Sequence, residues 1–182
     1  MYKKHILALI ILTLLTSCGQ ISDKDLIKAA YNGKTEVIEK AIDSGADINL
    51  RSTKENINIL SYAAGAGHAQ TVLMLLRKGA NTNLTDNNGW TALHFAASKQ
   101  HIDSINMLAK FKADMNIQTN DGWTALMYAA FAGSQDTVIN LIQNGADASI
   151  AMENGMDALA IAQEKGFKNL ILVLQTAKNM KK

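Results

Sequence analysis

The sequence predicts an all-α repeat solenoid of five stacked units, each a helix-turn-helix followed by a hairpin loop. Leucines at 26, 60, 93, 126 and 159 recur at intervals of 34, 33, 33 and 33 residues, and self-similarity at a period of that length marks stacked repeats. Two further landmarks keep the same phase. A glycine follows each leucine by seven residues (Gly33, Gly67, Gly133, Gly166, with Gln100 in the third unit), and a small turn reads Gly45-Ala46-Asp47, Gly79-Ala80-Asn81, Lys112-Ala113-Asp114 and Gly145-Ala146-Asp147. The 182 residues, 48% of them hydrophobic, suit about one domain of the usual ~100–200 residues and exclude a disordered chain.

The repeat domain is expected over 23–176, in units of approximately 23–55, 56–88, 89–121, 122–154 and 155–176. Each first helix carries small residues after its leucine (Ala29-Ala30, Ala63-Ala64, Ala96-Ala97, Ala129-Ala130, then Ala162-Gln163), which allows close approach to a neighbour. Glycine then ends that helix in the left-handed conformation. The second helix has apolar residues at helical spacing, such as Val72, Leu75 and Leu76, or Val138, Leu141 and Ile142. The polar runs 81–89 and 114–122 supply the turn and hairpin. The second unit opens Asn56-Ile57-Asn58-Ile59, with neither the turn glycine nor the threonine, so the first hairpin, one residue longer, is expected to be irregular. The fifth unit lacks the Gly-Ala-Asp turn and reads as a C-terminal cap, with residues 177–182 as a basic tail.

The stretch from Asp86 to Asn116, DNNGWTALHFAASKQHIDSINMLAKFKADMN, resembles an ankyrin repeat, and the resemblance extends over residues 23 to about 176. Alanine (Ala92, Ala125, Ala158) stands where the family has proline at the helix start, which loses some preset backbone geometry. The resemblance implies a protein-binding scaffold with a concave recognition face. It also gives His94 the family's role at the helix start, hydrogen-bonded within the turn, and sets His68 and His101 at the Gly-His position between helices.

Met1 to Cys18, MYKKHILALIILTLLTSC, has a basic start, a ten-residue apolar run and small residues before a cysteine. This is the layout of a secretory signal peptide. The run spans about 15 Å, half of a bilayer core of ~30 Å, so residues 1–17 are expected to be cleaved. Leu15-Thr16-Ser17-Cys18 resembles the lipobox of bacterial lipoproteins, which implies diacylglycerol on Cys18 and a membrane contact through that lipid. Gly19, in place of Asp, resembles the outer-membrane pattern of Gram-negative lipoproteins. Residues 18–22 form a short tether, and the location implied is the cell envelope, facing the periplasm. Cys18 is the single cysteine, so the fold must stand without an intramolecular disulfide.

Catalysis needs a nucleophile, base or ligand set beyond what the repeats use. The three histidines after the leader all fall at repeat positions, as do Asp47, Asp114 and Asp147, while Asp86 and Asp121 sit in hairpins. Glycines occur singly, with no phosphate-cradling motif. Neither catalytic activity, nor a cofactor, nor a metal is expected. Residues 18–182 hold sixteen basic and sixteen acidic groups, a balance that argues against nucleic acid as a partner.

Binding is expected at positions the repeat does not need, on the concave face. Trp90 and Trp123, the only tryptophans, occupy one position in adjacent repeats. They either pack over their own hairpins or form an outward platform, and the family resemblance favours the second. Tyr31 and Phe131, at the ends of first helices, are expected on the same face as exposed aromatics, with Lys99 and Gln100 as a polar rim beside Trp90. Tyr62, Phe95 and Tyr128 are expected inside the contacts between helices. The expected partner is a protein, and the chain is expected to be monomeric when free. Bacterial ankyrin lipoproteins of this size are similar to immunity proteins of interbacterial toxin systems, which implies a toxic effector such as a phospholipase as the favoured partner. The alternative is an accessory or chaperone-like role toward an endogenous envelope enzyme.

Overall fold

The structure, a computed structural model, describes residues 21–180. Cys18 and the expected leader lie outside the described residues, as do Lys181 and Lys182. Ten helices are described, in five pairs: α1 (Asp23–Tyr31) and α2 (Thr35–Asp43), α3 (Ile59–Gly65) and α4 (Ala69–Arg77), α5 (Ala92–Ser98) and α6 (Ile102–Lys110), α7 (Ala125–Phe131) and α8 (Gln135–Gln143), α9 (Ala158–Glu164) and α10 (Lys168–Asn179). Among the described residues the hairpins form only two isolated antiparallel bridges, Arg51 with Asn58 and Ala151 with Asp157. None of the helices is long and apolar enough to cross a membrane.

Polar side chains start the first helices. Asn58, Thr124 and Asp157 accept the backbone N–H three residues on, at 2.8, 3.3 and 2.8 Å, which satisfies a donor the helix leaves open. α5 has a fuller device. Thr91 accepts the His94 N–H while the Thr91 N–H donates to His94 Nδ1 at 3.1 Å, a capping box with histidine in the usual place of glutamate. His94 Nε2–H then donates to the Trp123 carbonyl at 3.2 Å, tying the third repeat to the fourth. Burial pushes the His94 pKa down to about 4, so the ring is neutral at pH 7.

First helices pack on one another more extensively than second helices do, because their buried faces are alanine pairs: 63 and 64, 96 and 97, 129 and 130 are all essentially inaccessible. The first helices therefore form the tighter layer of the stack. Ile38, Val72, Leu75, Ile105, Leu108, Val138, Leu141, Leu170 and Leu174 of the second helices join them in one continuous core. Leu159 is only partly buried.

The glycine after each first helix has two jobs. Gly33, Gly67 and Gly133 have φ of 65°, 77° and 70°, in the left-handed region. They also receive a ring from the next repeat: a Cβ on Gly33 would lie 2.6 Å from His68, on Gly67 2.7 Å from His101, and on Gly133 2.8 Å from Phe167. Gln100 holds φ 63° with a side chain, and the residue that would supply the ring in the next repeat is Ser134. Lys112 likewise holds φ 60° where the other turns have glycine.

A second register runs through the hairpin bases. Asn49, Asn83 and Asn116 each accept, through Oδ1, the backbone N–H of the next repeat's turn residue, Asn81, Asp114 and Asp147, at 3.0, 3.0 and 2.7 Å. The series ends at Ser149.

One expectation holds and one is corrected. The first hairpin is one residue wider than the others, closed by Ser52 N–H to the Ile57 carbonyl where the later hairpins close between residues four apart, yet Asn56 adopts φ 60° where Gly89, Gly122 and Gly155 sit near 80°, and Asn58 caps in place of threonine. Asparagine tolerates both tasks. The basic tail is shorter than 177–182, because α10 continues to Asn179. Ala177 packs on the core, and Lys178 pairs with Asp157, the cap of α9.

Two outcomes follow from these contacts. Gly67→Ala forces a Cβ against the His101 ring in a left-handed backbone, so a loss of more than ~2 kcal/mol in urea unfolding is expected. Adding His101→Ser, which imitates the Gln100 and Ser134 pair, should recover part of it; equal losses in both variants would contradict the coupling. For His94 the folded pKa lies below the unfolded value of 6.5, so its contribution is complete above pH 6.5 and is lost as pH falls toward 4. That amounts to about 3 kcal/mol, and His94→Gln should flatten the stability curve over that interval relative to wild type.

Candidate protein-binding surface

At ~100° per residue, the buried positions of α5 (Ala92, Leu93, His94, Ala96, Ala97) occupy most of the helix circumference and leave a narrow arc at Phe95 and Ser98. α7 repeats the arrangement with Tyr128 and Phe131. The tryptophans reach these arcs from the hairpins.

Each tryptophan is fixed by its backbone. Trp90 donates its N–H to Asp86 Oδ1 at 2.8 Å, and its carbonyl accepts the Asp86 N–H at 2.9 Å. Trp123 donates to Thr119 Oγ1 at 3.2 Å, and its carbonyl accepts from the Thr119 N–H at 2.8 Å and from His94. Both side chains are half-buried. Between them stands Tyr128, with its ring centroid 4.4 Å from Trp90 and 4.9 Å from Trp123. Phe95 extends the row at 5.0 Å from Trp90, and Phe131 at 5.7 Å edge-on to Trp123. The result is a five-ring series, Phe95, Trp90, Tyr128, Trp123 and Phe131, across two repeats. Centroid spacings of 4.5–7 Å are those at which rings attract. Burial raises the Tyr128 pKa, with the Asp121 and Asp86 charges adding to the rise.

Phe131 is 50% exposed and Tyr31 60%, as the sequence suggests. Tyr31, however, stands at the far end of the stack with no ring contact to the row, and its carbonyl receives His68 Nε2 at 2.9 Å. Lys99 and Gln100 are exposed and follow the end of α5, Lys99 one turn after Phe95. Tyr62, Phe95 and Tyr128 are half-buried and lie at contacts between repeats, as expected. Tyr62 packs on the core, Phe95 lies against α3, where a Cβ on Gly65 would come 3.1 Å from its own Cβ, and Tyr128 reaches back to His94 and Trp90 of the third repeat. Phe95 and Tyr128 also join the row.

Among the described residues no group of three His, Cys, Asp or Glu is placed to hold a metal ion. What the surface offers is fixed aromatic area, the commonest currency of protein recognition.

The family model for ankyrin repeats, in three copies, matches residues 26–119 and 106–182. The chain is 36% identical over 73 residues to phosphocholine transferase AnkX of Legionella pneumophila, covering 40% of this chain and 8% of that protein. It is 30% identical over 73 residues to the human 26S proteasome non-ATPase regulatory subunit 10, covering 40% and 32%. To the ankyrin repeat and KH domain-containing protein mask-1 of Caenorhabditis elegans it is 33% identical over 64 residues, covering 35% and 2%. The aligned part thus spans no more than about a third of any of these relatives. With the 33-residue period, the five helix pairs and a family match over most of its length, this chain belongs to the ankyrin-repeat family.

Proposed function

We propose that this ankyrin solenoid is a lipid-anchored protein-binding module of the cell envelope that neutralises a toxic effector, such as a phospholipase, by occupying its surface. The observation that carries the binding part is the five-ring row, whose tryptophans are held by their backbones so that their side chains meet a partner already ordered. Preordered aromatic area loses little conformational entropy on binding. The anchored part rests on the lipobox-like residues before Cys18, with the four residues 19–22 reaching roughly 14 Å, which keeps the first repeat near the bilayer where a lipase acts. An accessory role toward an endogenous envelope enzyme differs in one respect, a partner that is harmless when unbound.

Alanine at both Trp90 and Trp123 should weaken partner capture by about a hundredfold or more, at ~2 kcal/mol per anchor residue, while the melting temperature falls by only about 5 °C. A collapse of the melting temperature would make the two residues structural. The deciding assay is growth of cells expressing a periplasmic toxin encoded beside this gene: protection by wild type and none by the double variant supports immunity, and no protection by either removes it. Cys18→Ala should move the protein from the membrane to the soluble periplasmic fraction on cell fractionation, and continued membrane association would refute the anchor.

A further inference from the structure

Acidic groups stand beside the aromatic row. Between Lys112 and Lys165 the chain has seven acidic residues and no basic one, with Asp157 among them paired to Lys178, and that stretch supplies Trp123, Tyr128 and Phe131. Asp121, exposed at the hairpin tip two residues before Trp123, and Asp86, which clamps Trp90, both bear electrostatically on the Tyr128 hydroxyl. Ring faces are themselves the negative part of an aromatic quadrupole. One cation already occupies the row: Lys165, just after α9, holds its ammonium 4.1 Å from the Phe131 centroid. Among the described residues the central rings carry no such cap. Trp90 and Tyr128 are tilted by 46° and Tyr128 and Trp123 by 32°, and both tryptophans are only partly buried, so some ring surface of each remains accessible.

We propose that the row is a receptor for an exposed arginine side chain of the partner protein, its guanidinium stacking on Trp90, Tyr128 and Trp123 with Asp121 as the counter-charge. This rests on the reading of the face as the protein-binding site and adds the chemistry of what enters it. A guanidinium is planar, weakly hydrated and stacks on ring faces, whereas an ammonium is a compact, strongly hydrated charge.

Trp90 and Trp123 are the only tryptophans, so intrinsic fluorescence reports on this site. The purified protein is titrated with the peptide acetyl-Gly-Arg-Gly-Arg-Gly-amide, with its citrulline counterpart, which keeps the shape and loses the charge, and with its lysine counterpart. The arginine peptide is expected to give a saturable change at least about fivefold tighter than citrulline. Asp121→Asn, with an unchanged melting temperature, should weaken it about threefold. Equal responses to arginine and citrulline, no saturable response, or an unaffected Asp121→Asn variant would overturn the proposal, and a lysine peptide that binds as tightly would overturn the choice of arginine. The broader reading is judged separately: loss of the captured partner in the Trp90→Ala/Trp123→Ala variant, together with equal arginine and citrulline binding, leaves the face as a binding site whose ligand is not a cation.

Discussion

The whole molecule depends on how closely one repeat can approach the next. No helix pair here buries enough apolar surface alone; the core exists only because neighbours share it. That sharing is set where side chains are smallest. The alanine pairs of the first helices let backbones come together, and Gly33, Gly67 and Gly133 leave room for the following ring. Where the third repeat has Gln100, the next supplies Ser134 in place of a ring. The bulk across each junction is thus conserved within the molecule even where the residues differ.

The binding face is a by-product of that packing. A seven-residue first helix that commits five positions to neighbours has only a thin arc left for solvent. Large residues on such arcs, one repeat apart, must meet each other. Tyr128 therefore reaches back to Trp90 and forward to Trp123, and one row forms across a junction that neither repeat contains by itself. The same junction is crossed by the His94 bond to the Trp123 carbonyl, so the core and the row are positioned by one set of contacts.

The architecture was legible because periodicity is a property of the sequence: the leucine, glycine and turn positions need no knowledge of contacts. The location of Trp90, Trp123 and Phe131 followed from the same phase. Phe95 and Tyr128 sit roughly 200° from Leu93 and Leu126, at half-buried positions between repeats; that they also join the row depends on the tryptophan each neighbouring hairpin presents. The asparagine series at 49, 83 and 116 keeps the same period and went unread because asparagine in a hairpin reads as turn chemistry. Its use between repeats only appears once the hairpins are stacked. The pairing of Lys178 with Asp157 had no local signal at all, since twenty residues and a helix reversal separate the two.

The third repeat differs from the others in how comfortably it is held. Its two glycine positions are filled by Gln100 and Lys112 in the left-handed region, where a side chain is strained, and Ser104 keeps a buried hydroxyl with no hydrogen-bond partner among the described residues. In a one-dimensional stack, resistance to opening is a local property. Any opening between the third and fourth repeats would part Tyr128 from Trp90 and break the row in two. A partner lying across the row therefore holds closed the very junction that creates it.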